Sequence, residues 1–113
     1  MGHGTDEAIP TVASPAAVDA VARTMHALST SSRVRLLLRL RIGPRTVSEL
    51  VADVGMEQSA VSHQLRVLRH LGLVVGDRDG RQIRYRLHDD HVAQLLDEAV
   101  HHVEHLTTGL ADG

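Results

Sequence analysis

Tyr85 is the only Phe, Trp or Tyr residue in the chain, and this restricts the fold more than any other feature. A core without large rings must be assembled from Leu, Val, Ile, Met and Ala. In a chain of 113 residues that means one domain with one core. So aliphatic a core in so small a domain has modest stability, which favours burial of further apolar surface against a second copy. Cysteine is absent, so disulfides and thiolate metal sites are excluded. No run approaches the ~18 apolar residues of a membrane span, and no secretory h-region precedes the first polar segment. The expected location is the cytoplasm, with no membrane partner.

The apolar spacing divides the chain into recognisable elements. Residues 1–14 are polar, carry Gly2, Gly4 and Pro10, and read as a flexible arm. Residues 15–107 are expected to form the folded domain and 108–113 a disordered tail. A first helix is expected from Pro15 to about Leu28, with Ser14 as N-cap and Pro15 in its first position. A second, capped by Ser31 or Ser32, runs to about Arg41, carries Val34, Leu37, Leu38 and Ile42 at helical spacing, and stops at Gly43-Pro44. Thr46 and Glu49 have the spacing of a capping box, which opens a short third helix ended by Gly55. A fourth helix spans about Glu57 to Leu71, with Val61, Leu65 and Leu68 on one face and Gly72 after it. Ile83, Tyr85 and Leu87 then alternate with Gln82, Arg84 and Arg86, and Asp79-Gly80 signals a hairpin turn. Asp89 or Asp90 caps a last helix through about Leu106. The fold class is therefore mainly α with a β-hairpin, in the order α-α-α-α-β-β-α. This is a winged helix-turn-helix expected to work as a homodimer.

The formal net charge is −2, but the charges are segregated. Residues 31–86 hold eleven Arg against five acids, whereas the remainder holds one Arg and nine acids. A basic middle between acidic ends suits a middle that faces phosphate. With Val61, Leu65 and Leu68 turned inward, the opposite face of the fourth helix presents Gln58, Ser59, Ser62, His63, Arg66 and Arg69. Short hydroxyl and amide side chains near a helix N-terminus reach base edges, and Arg further along reaches the backbone. Arg78, Arg81 and Arg84 are expected together at the hairpin tip, fit for a flanking minor groove or phosphates. One recognition helix per chain implies a dimer on two-fold operator double-stranded DNA.

Nine His are present, and the last helix carries an unusual set. At about 100° per residue, His102 lies about +20° and His105 about −40° from His91, so the three share a stripe. Val92, Leu95, Ala99, Val103 and Leu106 occupy the neighbouring stripe, between about +40° and +120°. His102 and His105 can hold one ion together, but His91 of the same helix is roughly 16 Å away. An antiparallel pairing of two copies removes that distance. The expected site is Asp89 and His91 of one chain with His102 and His105 of the other. Asp90 is an alternative to Asp89, and His101 to His102. At the other end, removal of Met1 would give the Gly2 amine and the His3 imidazole a compact nitrogen chelate, and with Met1 kept the amine-Gly-His start suits Ni(II) or Cu(II). The arm could swing over the helix site and enlarge its shell.

Glu-Gln-Ser-Ala-Val-Ser-His-Gln-Leu at 57–65, Arg-Asp-Gly-Arg at 78–81 and Asp89-x-His91-x10-His102-x2-His105 resemble the ArsR/SmtB metal-sensing repressors. The resemblance covers roughly residues 15–106, and the helix 3 cysteine motif of the arsenic, cadmium and lead sensors is absent. What it implies is a metal-free dimer that represses at an operator and is released by Ni(II) or Co(II), with Zn(II) as a further candidate. It also implies that Gly2 and His3 join Asp89, His91, His102 and His105. An enzyme is not expected, because Glu98 is the only general base near the stripe and two packed helices leave little cavity. A second reading keeps the DNA-binding module but assigns its signal to a non-metal ligand, with the His stripe serving dimer packing.

Overall fold

A computed structural model describes residues 14–112 of the chain. The elements are α1 (Pro15–Ala27), α2 (Ser31–Ile42), β1 (Arg45–Thr46), α3 (Val47–Val54), α4 (Gln58–His70), β2 (Val74–Asp79), β3 (Gln82–Leu87) and α5 (Asp90–Asp112). The expected order is present with one addition. The two-residue β1 pairs antiparallel with β3, Arg45 opposite Tyr85 and Thr46 opposite Arg84, so the hairpin becomes a three-stranded sheet in the order β1-β3-β2. So short a strand carries no period of its own, which is why alternation could not reveal it.

The helix boundaries follow local chemistry. Ser14 caps α1 by accepting from the Ala17 backbone N–H at 3.1 Å. Thr46 and Glu49 form the complete capping box of α3: the Thr46 hydroxyl accepts from Glu49 N, and the Glu49 carboxylate accepts from Thr46 N. Gly55 ends α3 at φ +68°, a conformation other residues adopt only at a cost. The N-cap of α2 is Thr30 rather than Ser31 or Ser32. Thr30 makes no side-chain cap bond, and its buried hydroxyl lacks a partner. In the wing, Asp79 pairs with Gln82, so the two turn residues are Gly80 and Arg81 rather than Asp79 and Gly80. Gly80 alone takes a positive φ, +66°, as a turn with glycine in its first central position requires.

The core gathers Leu36, Leu37 and Leu40 of α2, Leu50 and Val54 of α3, Val61, Leu65 and Leu68 of α4, Leu73 and Val74, and Val92 and Leu96 of α5. In α2 the buried stripe is therefore displaced from the expected one. Val34 and Leu38 are half-buried, and Ile42, at the helix end, is 78% exposed. In α5 the anchor is Leu96, which lies on the far side of Val92 from the His stripe. Val103 and Leu106 remain exposed. Helix α1 places only Ala27 in the core and leaves Val18, Val21 and Met25 exposed at a spacing of one helical face. α5 continues to Asp112, past the end expected near Leu106, so residues 108–112 are helical rather than a disordered tail.

Candidate functional site

The fourth helix behaves as its sequence demands. Val61, Leu65 and Leu68 are fully buried, which turns Gln58, Ser59, His63, Arg66 and Arg69 outward, with Ser62 half-buried beside them. The N-cap of α4, Glu57, makes no side-chain bond to the helix, and its first turn carries no acid. Free N–H groups at a helix N-terminus attract anions, so this end combines backbone donors with short polar side chains.

The wing differs from expectation at Arg84. The register places Arg78 opposite Ile83 and Arg84 opposite Asp77, so Arg78 and Arg84 emerge on opposite faces of the hairpin. Arg84 lies back from the tip, bonded to Asp79 at 3.1 Å and to Glu49 of α3 at 3.4 Å. Arg86 is likewise taken by Asp77 at 2.7 Å. Arg78 and Arg81 are exposed and have no acidic partner among the described residues. The cationic tip is thus Arg78 and Arg81. Arg84 joins wing to α3, a role that alternation within one strand could not disclose because it depends on β1.

At the start of α5, the choice between Asp89 and Asp90 as cap resolves to Asp89. Its Oδ1 accepts from Val92 N at 3.2 Å. Its Oδ2 lies 3.1 Å from His88 Nδ1 and 3.6 Å from His91 Nδ1. The bond from His88 holds the Asp89 carboxyl below its ordinary range, with help from the Val92 N–H and from His91, against some desolvation. Asp89 and His91 are therefore brought together as a carboxylate–imidazole pair, and the His91 ring is 90% exposed. His102 and His105 are exposed three residues apart on the same helix. No three His, Asp or Glu of the one chain form a cation site among the described residues. Two pairs of donor side chains thus stand at the start of α5 and further along it. Imidazole and carboxylate donors without thiolate suit first-row divalent ions, so the residues fit the group. Gly2 and His3 lie outside the described residues. Missed by sequence reasoning is the bidentate pair of Arg41 with Asp97, at 3.0 and 2.9 Å, which ties α5 to α2. No local spacing signals it, because its partners are 56 residues apart.

Comparison with known proteins then decides the family. Residues 30–75, which run from the start of α2 through the recognition helix into β2, match the model described as bacterial regulatory protein, arsR family. Over 116 aligned positions the chain is 58% identical to the HTH-type transcriptional regulator NmtR of Mycobacterium tuberculosis strain ATCC 25618 / H37Rv, covering 99% of this chain and 95% of that one.

The chain belongs to the ArsR family.

Solved structures agree in fold. The solution structure of apo-NmtR superposes with a TM-score of 0.70 at 62% identity, covering 81% of this chain and 77% of that one. A homodimeric winged helix-turn-helix DNA-binding domain from Mycobacterium bovis gives 0.76 at 32% identity, covering 93% and 92%. The cadmium metal-sensor CMTR from Mycobacterium tuberculosis gives 0.62 at 42% identity, covering 69% and 80%. The fold is the winged helix-turn-helix of ArsR regulators, and the family consists of DNA-binding transcriptional regulators, not enzymes. No helix among the described residues is long and apolar enough to cross a membrane.

Proposed function

We propose that this ArsR protein is a metal-responsive repressor that binds operator DNA as a metal-free homodimer and lets go when Ni(II) or Co(II) binds between its two C-terminal helices. Zn(II) is the other candidate ion. Gln58, Ser59, Ser62 and His63 read base edges or phosphates in the major groove. Arg66 contacts the backbone, and Arg78 and Arg81 of the wing contact the flanking groove. Arg84 positions the wing instead of touching DNA. Asp89 and His91 of one protomer, with His102 and His105 of the partner subunit, would hold the ion, and Gly2 and His3 would complete its shell.

One observation carries the reading. Each α5 bears an acidic-imidazole pair at its start and an imidazole pair about three to four turns later, beside apolar side chains that its own domain leaves uncovered. A bound divalent ion supplies a point of high positive charge that only donors from both protomers can satisfy. Asp89 also caps α5 directly after β3, so a change in its orientation is felt at the base of the wing. The coupling required is a difference in ion affinity between the free and the DNA-bound dimer, and it is reciprocal.

The test is operator binding titrated with Ni(II), Co(II) and Zn(II) in wild type and His102→Ala. Wild type should lose operator affinity on metal addition, while His102→Ala binds operator normally and does not respond. Equal responses in the two proteins, or a stoichiometry unchanged by His91→Ala, would refute the ligand set.

A further inference from the structure

We infer that a cleft between α1, α2 and the C-terminal half of the recognition helix α4 binds a small amphiphilic anion, a carboxylate on an alkyl chain, as a second effector. The cleft has a volume of about 630 Å³, within the usual range of small-molecule sites. Ala22 of α1 with Val67 and Leu71 of α4 supply an apolar lining. Around it stand Arg23, His26, Arg33, Arg66 and His70, and no acid lines it.

The grouping of unmatched Arg around an apolar floor is the telling feature. Arg39, Arg41, Arg45, Arg84 and Arg86 are each matched to a carboxylate within 4 Å, and of the Arg that are not, Arg23, Arg33 and Arg66 share this one recess. None of the five basic groups at the cleft has such a partner among the described residues. Arg33 is held by a neutral acceptor, Gln64 Oε1 at 2.8 Å, which orients its guanidinium without cancelling its charge. Three clustered guanidiniums without counter-ions favour an anion, and the apolar lining favours one with a hydrocarbon body. A bare phosphate would use the rim and leave Val67 and Leu71 wet. A partner helix would be directed to the adjoining α1 stripe of Val18, Val21 and Met25, whose side chains do not line the cleft. The ligand also has a consequence for DNA. Arg66 belongs both to the cleft and to the outer face of α4, so a carboxylate seated there competes with a phosphate for the same guanidinium.

The experiment uses full-length protein stripped of metal with EDTA, so its outcome is independent of the metal-sensing reading. Decanoate, kept below its micellar concentration, is compared with decanol and with sulfate by calorimetry and NMR. Decanoate should bind saturably, one per protomer, and shift the resonances of Ala22, Val67 and Leu71, with decanol and sulfate at least tenfold weaker. Saturating decanoate should weaken operator binding about tenfold and reduce the slope of log affinity against log salt by about 2, the signature of one lost phosphate contact in each protomer of the dimer. Val67→Trp and Ala22→Phe, which fill the cleft from two different helices, should each weaken decanoate at least tenfold and leave ligand-free operator binding within twofold. If one variant fails to fold, the other carries the test. Equal binding of decanol or sulfate, undiminished binding by a folded cleft-filling variant, or shifts confined to Val18, Val21, Met25 and Val103 would overturn the proposal.

Discussion

Thr46→Ala is the substitution whose cost can be worked most directly from this structure. Thr46 is only 5% exposed and has three functions: it pairs with β3, it opens α3, and its hydroxyl accepts the Glu49 N–H at 3.2 Å. Alanine keeps the strand pairing and the backbone N–H that Glu49 accepts, so those terms cancel. What is lost is the N-cap acceptor, worth about 1 kcal/mol, and a buried methyl, worth about 0.8 kcal/mol. The sum is close to 2 kcal/mol, or about a 30-fold shift in the folding equilibrium. At roughly 4 °C per kcal/mol for a domain of this size, the Tm should fall by about 8 °C. Thr46→Ser restores the hydroxyl and should recover about half. Urea and thermal melts at one fixed protomer concentration provide the measurement, since association with a second copy makes apparent stability concentration-dependent. Equal losses for Ala and Ser would show that the hydroxyl does not cap α3. A loss below about 0.5 kcal/mol for Ala would refute the whole account of this corner.

Other positions give sharp expectations. At Gly76 an added Cβ would lie 2.8 Å from Ile83 Cγ2 and 3.1 Å from the Tyr85 ring. Gly76→Ala should therefore cost about 1–3 kcal/mol by overpacking the wing, read by thermal melts. Leu65→Ala, at a fully buried site, should cost about 2–5 kcal/mol, whereas Gln58→Ala on the opposite face should leave stability unchanged and weaken operator binding. The Thr46 N–H, aided by Arg84 and Arg45, holds the Glu49 carboxyl below its ordinary pKa. A depressed folded-state value means that the contribution is complete above the unfolded pKa and vanishes as pH falls through the folded one. The stability gap between wild type and Glu49→Gln should accordingly be present at neutral pH and close at acid pH below the usual carboxylate range, in urea melts across that range.

Most of the fold was legible because its decisive residues act on near neighbours. The Ser14 cap, the Thr46–Glu49 box, the Gly55 terminus and the inward Val61-Leu65-Leu68 stripe all operate within one or two helical turns. What could not be read depends on distant partners. Arg84 looks like a wing-tip cation until β1 brings Glu49 beside it. Ile42 fits a helical period but sits where α2 runs out of neighbours, and Leu96, outside the stripe read from the sequence, meets the core because α5 is oriented by its contacts with α2 and β3. The candidate ion site is an intermediate case. Spacing identified the stripe and led to the proposal that two chains share it, and the structure added that Asp89 is held by His88 as well as by the helix it caps.

The uncovered apolar stripe and the proposed half-sites lie on one helix, and this makes a demanding thermodynamic statement. If an ion is held by donors from two protomers, it must tighten the dimer by the same factor by which dimerisation raises its own affinity. Val103 is 60% exposed in the single chain and is not a ligand, so Val103→Asn should be tolerated by the fold yet weaken association through α5. Its ion affinity at low protomer concentration should then drop in proportion to its dimerisation constant and recover as concentration is raised. His102→Ala should show the opposite pattern: a dimer as strong as the metal-free wild type that Ni(II) no longer tightens. Sedimentation equilibrium with and without Ni(II), paired with metal titrations at matched concentrations, measures both quantities. A Val103→Asn protein that is monomeric and still binds Ni(II) as wild type does would place all the donors within one chain, and the intersubunit site would have to be abandoned.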